Sequence, residues 1–151
     1  MFGDDILRFF SMWADLNGVF QGVFPADNIP LLTGKAAIIV NTDVSGGHGK
    51  HWVALFMESD KLDFFDSFGK SPDEFLNGSF HTSCFAEKFP NTTYNPIKFQ
   101  SRESLVCGYY SIYFILQRYQ GYNFNDILKI LMEHEDTDKY VKNFIENNFP
   151  T

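Results

Sequence analysis

Four side chains in this sequence have the types and spacing that acyl transfer requires. His51 opens the run "HWVALFME", Asp66 sits in "FFDSFG", and Gln100 precedes Cys107 by seven residues in "FQSRESLVCG". A cysteine nucleophile must be a thiolate, and its pKa falls beside an imidazolium or at a helix N-terminus. Cys107 begins "CGYYSIYFILQRYQ", where a helix start would place unpaired N–H groups and the positive end of the macrodipole. Gly108 follows with no side chain to crowd an approaching substrate. A histidine beside the sulfur would activate it and later protonate a leaving amine. An acid on the other ring nitrogen would fix the tautomer. The developing oxyanion needs donors, and the Cys107 backbone N–H and the Gln100 amide could supply them.

Each residue also has an ordinary explanation. Cysteine in an apolar helix is usually a small buried hydrophobe, and an Asp before Ser at a strand end is usually a turn former. His48, in the glycine-rich turn "SGGHGK", reads as a solvent-facing loop residue. His81 and Cys84 in "FHTSCFAEKF" are close in sequence on a predicted helix, and a satisfied surface or core pair is the default there. Four His and two Cys never show the closely spaced pairs of a zinc site, so no metal is expected.

The elements that must position these residues follow from periodicity. Apolar positions 6, 7, 9, 10, 12, 13 and 16 predict a helix over 3–16, with acids in its first turn. Residues 17–34, rich in Gly, Pro and Asn, read as loop. Strands are predicted over 35–42, 51–58 and 61–68, the last two joined as a hairpin at Ser59-Asp60. Such a hairpin brings His51 and Asp66 to adjacent strand ends. Strand alternation would send Trp52 to the face opposite His51, with Val53 and Leu55 anchoring the strand in the core. Residues 71–89 read as partly helical, 95–100 as a short strand and 101–106 as loop. The segment 107–120 is apolar nearly all round and reads as a central buried helix, followed by amphipathic helices over 124–133 and 137–147. This order predicts an α+β fold, with a small mixed sheet packed on a central buried helix, in one domain covering 1–151.

Composition narrows the function. With 151 residues, 44% hydrophobic and 18% aromatic including 18 Phe, the chain can build a core without metal or disulfide. The net charge is −7 and no Lys/Arg cluster exceeds two residues, which argues against a nucleic-acid groove. No apolar run approaches the about 18–20 residues of a membrane span. The acidic start "MFGDDILRFF" does not read as a secretion signal. Cys84 and Cys107 are therefore expected as free thiols in an intracellular setting.

The motifs "AIIVNTD…GKHWVALF", "FFDSFG" and "Q" seven residues before "CGYYSIYFI", with the early segment "FQGVFPADNIPLL", resemble the adenovirus-type cysteine endopeptidases, the adenain family. The resemblance is nearest to the maturation proteases of Polinton elements and adintoviruses, in the clan that also holds SUMO and ubiquitin-like proteases. It runs from about residue 18 to the C-terminus. It implies a papain-like, adenain-like cysteine protease fold and site geometry in the chain order His, Asp, Cys. His51 would be general base and acid, Asp66 the third member, Gln100 the oxyanion-hole side chain and Cys107 the nucleophile. Trp52 would shape the adjacent cleft. The implied substrate is a capsid or other structural precursor protein, cut at glycine-containing sites by a monomer in the host cytoplasm or nucleus, or packaged in a virion.

Adenain itself is basic and is activated by DNA and by a disulfide-linked viral peptide. This acidic chain is not expected to use DNA, and Cys84 does not fall at the peptide-accepting position, which lies nearer Phe89. No cofactor is expected, and a peptide activator stays open. Two rival readings accompany this one: a ubiquitin-like or SUMO-type deconjugating protease, and a catalytically silent adaptor that keeps the fold.

Overall fold

The computed structural model describes residues 3–13, 16, 18–26, 28–41, 51–72, 91–101 and 106–148. Among them, four helices and five strands form an α+β structure with one mixed sheet: α1 (Gly3–Ser11), β1 (Phe20–Pro25), β2 (Ala36–Asn41), β3 (Trp52–Glu58), β4 (Lys61–Phe65), β5 (Thr92–Tyr94), α2 (Cys107–Tyr119), α3 (Phe124–Met132) and α4 (Thr137–Asn148). The strands lie side by side in chain order. The β2–β3 and β3–β4 pairs are antiparallel, and the two outer pairs are parallel.

The sheet is covered on both faces, which explains why β2 and β3 read as continuous apolar runs rather than alternating ones. Ala37, Ile39, Trp52, Ala54, Phe56 and Phe65 face the helices, in one cluster with residues of α1, α2, α3 and α4. Ala36, Ile38, Val40, Val53, Leu55, Met57, Leu62 and Phe64 face the other way and pack with Ala26 and Leu32. Val53 and Leu55 thus anchor β3 as expected.

The central helix α2 is buried along most of its length, from Gly108 through Gln117 with Tyr109 partly buried. It packs along β3. Near its C-terminal end, Arg118 donates to Asp63 Oδ2 at 2.9 Å and Glu58 Oε2 at 3.3 Å, and its guanidinium sits 4.6 Å from the Phe56 ring. Burial pushes the Asp63 carboxyl up, against the pull of the Arg118 guanidinium. Helix and strand run in the same direction. The roughly 17 Å of helix from Arg118 back to Cys107 nearly matches the roughly 20 Å of strand from Glu58 back to Trp52. Pinning one end of α2 therefore sets Cys107 beside the first residues of β3.

Three expectations are corrected. The first helix ends at Ser11 rather than at residue 16. The predicted loop over 17–34 contains β1, an edge strand parallel to β2. Its glycines and Pro25 hid it, yet Gly22 at φ +132° and an irregular register between Phe20 and Val23 are tolerable at a sheet edge. The predicted strand over 95–100 is absent, and the pairing segment is Thr92–Tyr94 just before it. Pro96 cannot donate to a ladder, and the Asn95 side chain bonds to backbone groups instead. The Ser59-Asp60 turn holds, but both residues adopt left-handed φ, 53° and 61°, in a two-residue turn that normally favours Asn-Gly. The expected helix over 71–89 and the turn over 43–50 lie almost wholly outside the described residues.

Candidate active site

The β3–β4 hairpin places His51 and Asp66 at its open end. Ala54 pairs with Phe65, so the residues just beyond, one before β3 and one after β4, are brought together. His51 Nε2 lies 2.7 Å from Asp66 Oδ1, with the imidazole 14% and the carboxylate 1% exposed. Asp66 Oδ1 also accepts the Phe68 N–H at 2.9 Å, a tight turn closed by the aspartate's own side chain.

Asp66 is held from behind by Asn95, a fully buried residue that sequence reasoning missed. Asn95 Oδ1 accepts the Asp66 N–H at 3.0 Å, and Asn95 Nδ2 donates to the Asp66 carbonyl at 2.7 Å and to the Ile97 carbonyl at 3.1 Å. The turn also needs Gly69. Its φ is +74°, and a Cβ there would meet the Ile97 carbonyl carbon at 2.8 Å. The only sequence signal was the pair Asn95-Pro96, which reads as turn initiation.

Nε2 is committed to Asp66, which leaves Nδ1 as the ring nitrogen for the Cys107 sulfur, and the two side chains shift each other's acidity. Burial alone would push His51 down, but the hydrogen bonds to Asp66 and Cys107 and both negative charges push it up to about 9. Burial alone would push the Cys107 thiol up. The hydrogen bond and charge of His51 outweigh this, aided by the backbone N–H groups of Trp52 and Gly108, and the thiol is lowered. The opposite shifts favour the charged form of each group, the direction that a thiolate–imidazolium pair requires. Cys107 is a free thiol at the first position of α2, and no acidic side chain occupies that first turn.

Trp52, expected at a substrate cleft, is 9% exposed, and its side chain belongs to the helix-facing core. What it gives the sulfur is its backbone N–H. Gly108 is buried and contributes in the same way. Gln100 is 2% exposed and is tied to the turn that carries Asp66 by Ser67, whose hydroxyl donates to Gln100 Oε1 at 2.5 Å. The Ser67 carbonyl accepts the N–H groups of Phe99 at 2.8 Å and Gln100 at 3.0 Å. Phe68 stands over the imidazole, with ring centroids 4.9 Å apart. His48, His81 and Cys84 lie outside the described residues. Among the described residues, no group of three or more His, Cys, Asp or Glu side chains could hold a metal ion. None of their helices is long and apolar enough to cross a membrane.

No protein-family model matches the chain. A protein of Acanthamoeba polyphaga mimivirus that bears the name of a thiol protease is 33% identical to it over 100 residues, covering 61% of this chain. The match spans 32% of that protein's length. This distant, partial similarity supports a cysteine protease and nothing finer.

Proposed function

We propose that the chain is a cysteine endopeptidase of the adenain-like type, with a papain-like site, in which Cys107 is the nucleophile. The carrying observation is the 2.7 Å bond between the buried Asp66 carboxylate and His51, with Cys107 a free thiol at the first position of α2 and His51 and Cys107 each shifting the other, the imidazole raised and the thiol lowered. The similarity to the mimiviral protein named as a thiol protease supports the same chemistry.

In this reading the Cys107 thiolate attacks the scissile carbonyl carbon, and the carbonyl π electrons move to oxygen. The Cys107 N–H, which has no intrahelical acceptor at its position, and the Gln100 amide stabilise that oxyanion. The His51 imidazolium gives its proton to the leaving amine as the C–N bond breaks. Neutral His51 then takes a proton from water, whose oxygen attacks the thioester and releases the acid product and the thiolate. Asp66 holds the ring orientation through both steps. The substrate class rests on the motif resemblance: structural precursor proteins of a virus or virus-like element, cut at glycine-containing sites by a monomer within the host cell.

The test is cleavage of internally quenched peptides containing a Gly-Gly pair. Cys107→Ala and His51→Ala should each lower turnover by at least roughly 10³-fold while melting as cooperatively as the wild type. Near wild-type turnover in either variant overturns the assignment.

A further inference from the structure

We infer that Ser67 is a positioning residue for the Gln100 carboxamide, fixing which end of that amide is presented to the reacting carbonyl. The inference rests on the protease reading above and extends it to a residue outside the Cys107, His51, Asp66 and Gln100 set. A glutamine amide is nearly symmetric in shape and can exchange its oxygen and NH2 by rotating its last torsion. An oxyanion is stabilised by the NH2 end and repelled by the oxygen, so orientation decides whether the group helps or harms. In a buried setting, hydrogen-bond partners make that choice.

Ser67 holds Gln100 twice. Its carbonyl accepts the Gln100 backbone N–H at 3.0 Å, which ties the segment to the turn after β4. Its hydroxyl donates to Oε1 at 2.5 Å. With the oxygen engaged there, the opposite end of the group is its NH2. Both residues are buried, Ser67 at 1% and Gln100 at 2% exposure, so water does not compete for the hydroxyl. The two neighbours Asp66 and Ser67 thus divide the work of one turn: the carboxylate orients the imidazole, and the hydroxyl orients the amide. Gly69 and Asn95 dock that turn on the backbone leading to Gln100.

The experiment compares Ser67→Ala with wild type on the Gly-Gly peptide, beside Cys107→Ala, and follows alkylation of Cys107 against pH. Ser67→Ala should lower kcat by about tenfold or more, with KM changed by less than about twofold. The alkylation profile should not move, because the ion pair does not pass through Gln100. In a Gln100→Ala background the same change should cost nothing more. Wild-type kcat in Ser67→Ala overturns the inference. So does a parallel loss of Cys107 alkylation, which would mean the turn itself had given way. Gln100→Glu tests the orientation without touching Ser67. It keeps an oxygen for the hydroxyl and sets a second oxygen against the oxyanion, so it should turn over no faster than Gln100→Ala; faster turnover overturns the inference. If Cys107→Ala cleaves as well as wild type, the protease reading fails and takes the Ser67 role with it. If Cys107→Ala is dead while Ser67→Ala is unaffected, only the Ser67 role fails.

Discussion

His51 Nε2 and Asp66 Oδ1 are 2.7 Å apart across the open end of the β3–β4 hairpin, and the carboxylate is almost wholly shielded from water. This bond does two things. It commits Nε2 as a donor, which leaves Nδ1 as the ring nitrogen for the sulfur. It also stabilises the imidazolium against the burial that would otherwise discharge it. The hairpin register makes this contact possible, and ring orientation follows from it.

Asp66→Asn separates the geometric from the electrostatic share of that contact. Asparagine keeps an acceptor for Nε2–H and loses the charge. Turnover at neutral pH should fall by roughly 10²–10⁴-fold, and the alkaline limb of the rate profile should move below its wild-type position near pH 9. A pH–rate series on both proteins reads this directly. An unmoved alkaline limb would mean the carboxylate charge does not support the imidazolium.

The pH dependence of stability has a definite sign. The folded-state pKa of His51, about 9, lies above its unfolded value near 6.5. Its contribution is therefore fully present below about pH 6.5 and is lost as pH rises through about 9. The Cys107 thiol is lowered in the folded state, so its contribution is present above its ordinary thiol pKa and is lost as pH falls through the depressed value. The two contributions oppose each other between about pH 6.5 and 9, so chemical denaturation should show nearly level stability in wild type over that window, whereas Cys107→Ala, which keeps the His51–Asp66 contact, should lose stability as pH rises through it.

Gly69→Ala should damage both stability and turnover. The added Cβ would need a left-handed φ and would meet the Ile97 backbone at 2.8 Å, and backbone does not yield as a side-chain tip does. Strained φ and a forced displacement together cost about 1–3 kcal/mol, readable by urea unfolding. Asn95→Ala should lose a similar amount, about 1–3 kcal/mol, because it orphans the buried Asp66 N–H. Gly18→Ala is the control, since a Cβ there meets nothing within 4 Å.

The hairpin and the central helix were legible because their signals are local. A two-residue turn between apolar runs sets a register, and a helix apolar all round must be buried. The hairpin was enough to suggest His51 and Asp66 as neighbours; Cys107 joined them through its chemistry at a helix start and through the motif resemblance. What escaped depends on contacts remote in sequence. Asn95 and Ser67 act on residues 29 and 33 positions away, and a Ser or Asn at a turn has many ordinary explanations. The edge strand β1 escaped for a different reason: pairing on one side tolerates the glycines and proline that mark loops elsewhere. The motif resemblance implies a cleft role for Trp52 and strand alternation argues against it; its ring packs in the helix-facing core and its backbone N–H acts on the sulfur.

The most direct measurement of the central claim is the alkylation rate of Cys107 against pH, resolved by mass spectrometry, in wild type and His51→Ala. The account predicts fast alkylation of Cys107 below pH 7 in wild type, where an ordinary thiol with a pKa near 8.5 is mostly protonated and slow, and loss of that advantage in His51→Ala. A Cys107 that reacts at ordinary thiol rates in both proteins would contradict it, because no thiolate–imidazolium pair would then exist.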